Sequence, residues 1–293
     1  WRGCSFDLTY RWTDETTKQE HELPLRALVV ESTTLRDQKI EIVHARSYVP
    51  AALALALKRM VGTGLIFDMR GFWIDERVAA GSWRHGSLLY RVTKRVERRL
   101  LMEADAVVSL THAAVAAMRR FPYVQHRPPR FTVIPTCADL ERFRPPLKNG
   151  APRAPAGSRP FTLGYVGSVG ARYLFDLVLE CFAILQAQRP GAQLLILNQG
   201  GHAYIRERLL AHDIARQRVE MKAVPHADVA TELRRIDAGI FFYKPAFSTL
   251  ATAPTKLGEF LGCGIPCLAN ADIGDVEELL EGRRVGVILR EAT

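Results

Sequence analysis

The sequence predicts an α/β chain of two doubly wound domains, each built on a parallel sheet, and three observations predict it. Short apolar runs alternate with segments of helical length through both halves of the 293 residues. A stretch rich in proline, glycine and small residues, 148–160, lies between the halves. It cannot bury a core and reads as a linker joining domains at 1–147 and 161–293. A glycine-rich turn, Gly164-Tyr165-Val166-Gly167-Ser168-Val169-Gly170, ends the first apolar run of the second half and leads into a helical segment.

In the first half, residues 40–45, 65–68, 106–110 and 131–134 are short and apolar and read as strands. Residues 50–60, 87–103 and 111–120 have helical length or spacing. In the second half the strands are 161–166, 193–197, 219–223, 239–242, 265–269 and 285–289, with a helical stretch over 172–188. Continuous apolar strands separated by helices pair in parallel and are covered on both faces, which gives two Rossmann-like domains. Residues 1–24 are polar, with little periodicity and no apolar core of the signal-peptide kind. The chain starts at Trp1 and stops at Thr293 just after a strand, so the expectation is of a fragment truncated at both ends.

The composition, 48% hydrophobic and 24% charged, is that of a soluble globular chain. No apolar run approaches the ~20 residues that span a bilayer. Cys4, Cys137, Cys181, Cys263 and Cys267 are scattered without zinc-type spacing, and Cys137 has no histidine partner at local spacing. A reducing, cytoplasmic setting with free thiols is expected. Residues 1–150 hold 24 Lys and Arg against 16 Asp and Glu, whereas residues 151–293 hold 16 against 15. The first half is therefore the one that faces an anionic partner. Arg91, Lys94, Arg95, Arg98 and Arg99 form one helical stripe, with Leu89, Val92, Val96 and Leu100 as the apolar side. Such a stripe can dock on anionic lipid at roughly 1 kcal/mol per basic residue, placing the chain peripherally on the cytoplasmic membrane face; a solvated basic face is the plain alternative. Nucleic acid is not expected, because the stripe lacks interleaved aromatics. No carboxylate cluster has metal-ligand spacing, and residues 272–275 read as a loop and helix cap, so no metal is expected.

The densest signal is Pro254-Thr255-Lys256-Leu257-Gly258-Glu259-Phe260-Leu261-Gly262-Cys263-Gly264-Ile265-Pro266. Pro254 suits the first turn of a helix, and Lys256 and Glu259, three apart, share a face near its anion-favouring N-terminus. An ordinary helix with a surface Lys–Glu pair, worth a few tenths of a kcal/mol, is the plain alternative. This segment resembles the donor-site helix of the family-4 glycosyltransferases of the GT-B fold, in a subset carrying Pro-Thr-Lys-Leu-Gly-Glu. The resemblance implies two Rossmann-like domains whose sheets face a cleft, and a hexosyltransferase-like enzyme acting with retention. It implies a UDP- or GDP-sugar as donor substrate, no tightly bound cofactor, Glu259 on the ribose and nearby cations on the diphosphate. The family pattern Glu-x7-Glu puts its first glutamate at position 251, where this chain has Ala251. Whatever positions the donor sugar here must differ from the family norm.

Around that helix the donor-binding candidates are Gly167, Ser168, Gly170, Arg172, Thr255, Lys256 and Glu259. Glycines let backbone N–H groups approach a diphosphate, and Arg172 is the candidate second cation. A glycine turn with only packing duties is the alternative. An NAD site would need an acid after the next strand, but 193–197 is followed by Asn198. Pro225-His226 reads either as a base or sugar contact or as a solvent-facing helix start. In the first half, Asp68, Arg70 and Glu76 are the catalytic candidates, at a strand end and in the following loop 67–77; a structural Asp68–Arg70 ion pair is the alternative. His44 and Arg46 are acceptor-side candidates. The expected reaction moves a sugar from the nucleotide to a sugar or lipid-linked acceptor, as in cell-surface polysaccharide or glycolipid synthesis. Lys256, Arg172 and the loop amides would meet the charge that grows on the departing diphosphate. The rival readings are a sugar-nucleotide epimerase of the same fold and a non-catalytic nucleotide-sugar-binding module.

Overall fold

A computed structural model of the chain describes residues 9–13, 20–24, 36–145 and 159–290. Apart from its last two residues, the expected linker 148–160 lies outside the described residues. The polar opening segment, read from sequence as having little periodicity, contributes an antiparallel pair, β1 (Thr9–Thr13) and β2 (Glu20–Pro24). Thr, Tyr and Trp dominate β1 and favour extended backbone, a local preference that the search for apolar runs passes over.

The first parallel sheet follows. It takes β3 (Ile42–Arg46), helix α1 (Tyr48–Val61), β4 (Gly64–Asp68), helices α2 (Trp73–Ala79) and α3 (Leu88–Glu103), and β5 (Ala106–Ser109). It continues with α4 (His112–Arg119), the short α5 (Pro122–Gln125) and β6 (Arg130–Val133). The strands lie in the order β3-β4-β5-β6, with β4 parallel to both β3 and β5. Helix α1 stops at Gly62, whose φ of 87° lets its N–H reach the Lys58 carbonyl.

Two expectations need correction in this region. The stretch 67–77, read as a loop, becomes helical from Trp73, because Ile74 buries and Asp75 and Glu76 sit in a first turn where the helix dipole favours carboxylates. On α3 the inward side carries Leu100, Leu101 and Glu97, while Leu89 and Val92 are exposed. The buried Glu97 carboxylate accepts from Tyr48 Oη at 2.7 Å and Lys94 Nζ at 2.8 Å. Lys94 is thereby turned inward out of the cationic stripe, and the Arg98 guanidinium lies 5.3 Å from the Tyr123 ring centroid. Arg91, Arg95 and Arg99 remain exposed.

The second sheet holds β7 (Thr162–Val166), β8 (Gln193–Leu197), β9 (Val219–Lys222), β10 (Ala238–Phe241), β11 (Cys267–Asn270) and β12 (Gly286–Leu289). All its pairs are parallel, in the order β12-β11-β10-β7-β8-β9. This is the doubly wound order whose switch point lies between the first and fourth strands, here β7 and β10. Helices α6 (Phe175–Gln188), α7 (His202–Ala211), α8 (His226–Leu233), α9 (Thr255–Gly262) and α10 (Val276–Gly282) connect them. Both faces are dry. Leu194, Ile196, Ile240 and Phe242 pack with α6 on one side, and Leu195, Leu197 and Phe241 pack with Leu257 and Phe260 of α9 on the other.

The chain forms two compact units. One comprises residues 1–70, 88–108 and 119–132; the other joins 71–87 and 109–118 to 133–293. Within the second, Asp275 precedes α10 but does not cap it with its side chain. Its carboxylate instead accepts the N–H groups of His112 (2.7 Å) and Ala113 (2.9 Å) at the start of α4, and Thr111 Oγ1 donates to the Leu250 carbonyl at 2.5 Å. The helix cap read into 272–275 thus serves a helix distant in sequence. Asp275→Ala leaves two first-turn donors of α4 without their acceptor and is expected to cost about 1–2 kcal/mol, measured as a fall in the urea midpoint. An unchanged midpoint would show that the cap contributes nothing.

Candidate functional site

The loop after β7 turns at Gly167 (φ 113°) and Gly170 (φ 120°), conformations that L side chains rarely adopt. Asn198, at the end of β8, knits this loop: its amide donates to the Gly167 carbonyl at 2.8 Å, and its Oδ1 accepts from the N–H groups of Gly200 and Gly201. Asn198, which entered the sequence argument only as a missing acid, is therefore the brace of the glycine loop. Ser168 is exposed, and its carbonyl accepts from Tyr165 Oη at 2.6 Å. Tyr173 bridges to Tyr243 just beyond β10, and Asn270 holds Tyr243 through its backbone N–H (2.8 Å) and carbonyl (3.1 Å).

Lys256 rises from the first turn of α9 into the space these elements enclose. Its ammonium lies 4.9 Å from the Tyr173 ring centroid, 5.4 Å from Tyr165, 5.9 Å from Tyr243 and 6.0 Å from Phe241. A Cβ at position 167 would stand 2.8 Å from Nζ, the flexible tip of the lysine, and it is the φ of 113° that favours glycine there. Nζ is buried and has no hydrogen-bond partner among the described residues. Ring faces offset part of the cost of burying the cation, yet they supply no lone pair. Burial accordingly pulls the ammonium pKa down to about 8, against a smaller upward pull from Glu259.

Three faces of α9 do different work. Leu257 and Phe260 enter the core. Gly258 and Gly262 admit the segment before the linker: a Cβ at 262 would lie 2.6 Å from the Phe143 carbonyl, and one at 258 would lie 3.2 Å from Ala138 Cβ. The third face bears Lys256 and Glu259, while Thr255 at the helix start is exposed. The Glu259 side chain is 9% exposed, and Oε1 lies 3.2 Å from His226 Nε2. Arg172, expected inside a helix, lies in the loop ahead of α6 and faces Glu76 Oε1 at 3.5 Å. Glu76 therefore has a cation opposite it rather than an open face, as its place on α2 brings it to the glycine-loop segment.

On the first sheet Asp68 gathers His44 and Arg46 from the neighbouring strand, in register with Arg46. His44 Nε2 is 3.5 Å and Arg46 Nε 4.0 Å from Asp68 Oδ2. Arg70 is exposed at φ 60°. The charged partners that the structure provides for Asp68 are thus from β3, where sequence adjacency had suggested Arg70.

The arrangement at the second sheet suits an anion. A buried cation lacking acceptors among the described residues, a glycine-rich loop whose Gly167 amide is tied to the Leu197 carbonyl at 2.9 Å, and a helix N-terminus converge at the switch point, where doubly wound sheets bind ligands. Residues 6–137 match the family model described as the glycosyl transferase 4-like domain. No curated protein sequence matches the chain significantly. Among solved structures, the chain is similar to a sucrose-phosphate synthase from Thermosynechococcus elongatus, with TM-score 0.66 and 15% identity over 92% of this chain and 65% of that one. HepE of Anabaena in complex with UDP gives 0.65 and 16% over 91% and 69%, and a glycosyltransferase from Rickettsia africae gives 0.63 and 12% over 92% and 67%. At these identities the likeness establishes the fold, which is GT-B with two Rossmann-like domains. The chain spans less than two thirds of the synthase's length.

The caged lysine has a pH signature. Its native pKa of about 8 lies below the ordinary 10.5, so between these values the unfolded chain binds more protons and stability rises with pH. The stability of wild type relative to Lys256→Met should rise by up to about 3 kcal/mol from pH 8 to 10.5, measured by urea unfolding across that range. A flat difference would mean that the ammonium is not caged.

Proposed function

We propose that the chain is a glycosyltransferase that moves a sugar from a nucleoside-diphosphate sugar to an acceptor hydroxyl. The observation that carries this is the Lys256 ammonium, buried among four aromatic rings without an acceptor and set beside the Gly167–Gly170 loop. A diphosphate supplies what that cation lacks. Lys256, Arg172, Thr255 and the amides of Ser168 and Gly170 would hold it, with Gly167, whose own N–H bonds the Leu197 carbonyl, shaping the turn, and charge developing on the leaving phosphate would strengthen those contacts in the transition state. Glu259 would take the ribose hydroxyls. The glycosyl transferase 4-like match over 6–137 supports the reaction class, and the structural neighbour HepE in complex with UDP and with UDP-glucose supports a UDP-sugar over a GDP-sugar.

The finer reading assigns residues 161–293 to the donor and 1–147 to the acceptor, with the linker 148–160 between them. His44, Arg46, Asp68 and Arg70 are then the acceptor-side and catalytic groups, and Glu76 acts through Arg172. Retention is proposed for a hexosyl donor by resemblance to the family. A lipid-linked or sugar acceptor, a role in polysaccharide or glycolipid synthesis and a peripheral place on the cytoplasmic membrane face complete the proposal. The exposed Arg91, Arg95 and Arg99 are its support for the membrane.

A second reading, a nucleotide-sugar-binding module without turnover, is favoured by Ala251. That residue is 3% exposed in the short helical turn Phe247–Ala251, where the family motif has a carboxylate.

Calorimetric titration with UDP, GDP and ADP, free and as sugar conjugates, tests the proposal. One diphosphate should bind, with Lys256→Ala and Glu259→Ala each weakening it about tenfold or more, as expected for charge-assisted hydrogen bonds. Absence of binding by folded wild type would sink it. Release of the nucleoside diphosphate from the matching sugar conjugate, with an acceptor present, separates the enzyme from the module.

A further inference from the structure

We infer that His226 and Arg142 are positioning residues that hold the Glu259 carboxylate in the orientation in which it meets a ribose, an inference that rests on the donor-site reading. The hydrogen-bond geometry assigns the roles. A carboxylate only accepts, so His226 Nε2 carries the proton that points to Glu259 Oε1 at 3.2 Å. His226 Nδ1 then keeps its lone pair, and Arg142 Nη1 donates to it at 3.2 Å. With Oε1 engaged by the imidazole, Oε2 is left for a ligand hydroxyl.

The need for a brace follows from exposure. The His226 side chain is 64% exposed at the first position of α8, with the Phe143 ring centroid 5.8 Å away. Without Arg142 the imidazole is free to turn, and Glu259 loses its fixed donor. The Arg142 side chain is exposed, and its backbone is set by a hydrogen-bonded turn. Asp139 Oδ1 accepts from the N–H of Glu141 at 3.0 Å, the Asp139 carbonyl accepts from the N–H of Phe143 at 2.8 Å, and Phe143 is buried. That turn lies along the glycine face of α9. The orientation of the proposed ribose ligand is thus keyed to the segment that runs into the linker.

Calorimetry on the 1–293 chain tests this with UDP and inorganic pyrophosphate as probes. His226→Ala should weaken UDP about tenfold, the scale of one hydrogen bond to a charged group, and Arg142→Ala by less. Both should leave pyrophosphate binding unchanged, because that ligand has no ribose. His226→Gln, whose amide can still donate to Glu259, should restore most of the affinity. In a Glu259→Ala background neither substitution should matter further. An equal loss for pyrophosphate, or an undiminished loss in that background, overturns the inference. Nitrogen NMR of the histidines in the ligand-free chain decides it independently of nucleotide binding. The Nε2–H tautomer at His226, disturbed by Arg142→Ala, is expected, and an Nδ1–H tautomer overturns the inference. Failure of UDP binding with the expected tautomer present would reject the donor-site reading while leaving the relay in place.

Discussion

A single ammonium group without an acceptor organises the second domain. Lys256 lies where β7 and β10 part, and four aromatic rings surround its nitrogen while, among the described residues, no hydrogen-bond partner reaches it. Burying a cation this way is costly, and ring quadrupoles return only a part of that cost. The surrounding elements are fitted to the lysine. Gly167 turns the loop beside it at a positive φ, Asn198 pins that turn, and Asn270 fixes the Tyr243 wall. A cation buried without an acceptor is held at the expense of native stability.

Helix α9 translates this constraint to the rest of the domain. Eight residues serve a dry core, a close approach of the 138–143 segment and a polar rim, and the helix period of 3.6 separates the three. Glycine at 262 is needed by the second face, since the Phe143 carbonyl sits where a Cβ would be, and at 258 a Cβ would press on Ala138. The two acidic roles on this side of the molecule are also divided. Glu259 has a histidine beside its Oε1, whereas Glu76 has Arg172 opposite its Oε1.

Strand positions in the second domain were legible because each is a continuous apolar run bounded by turn residues, and both faces of such strands must be covered. Lys256, Glu259 and the glycine loop were legible because helix-start and turn chemistry is local. Other features were not. The β1–β2 pair carries no apolar alternation that stands out from a polar segment. Leu89 and Val92 fit a helical stripe as well as Leu100 does, and only packing against α1 selects the buried side. Asn198, Arg142 and the tyrosine cage left no signature, since each works through a neighbour far away in sequence.

By itself, the sequence determined the α/β class, the parallel pairing, the basic first half and the presence of a cation and a carboxylate on one helical face. These follow from periodicity, composition and backbone sterics, which act over a few residues. Tertiary structure alone decided the strand order that creates the switch point, the burial of Lys256, the pairing of Asp68 with His44 and Arg46, and the relay onto Glu259. Each of these depends on which surfaces meet across the fold. Desolvation and hydrogen-bond direction are properties of that meeting, and no local spacing encodes them.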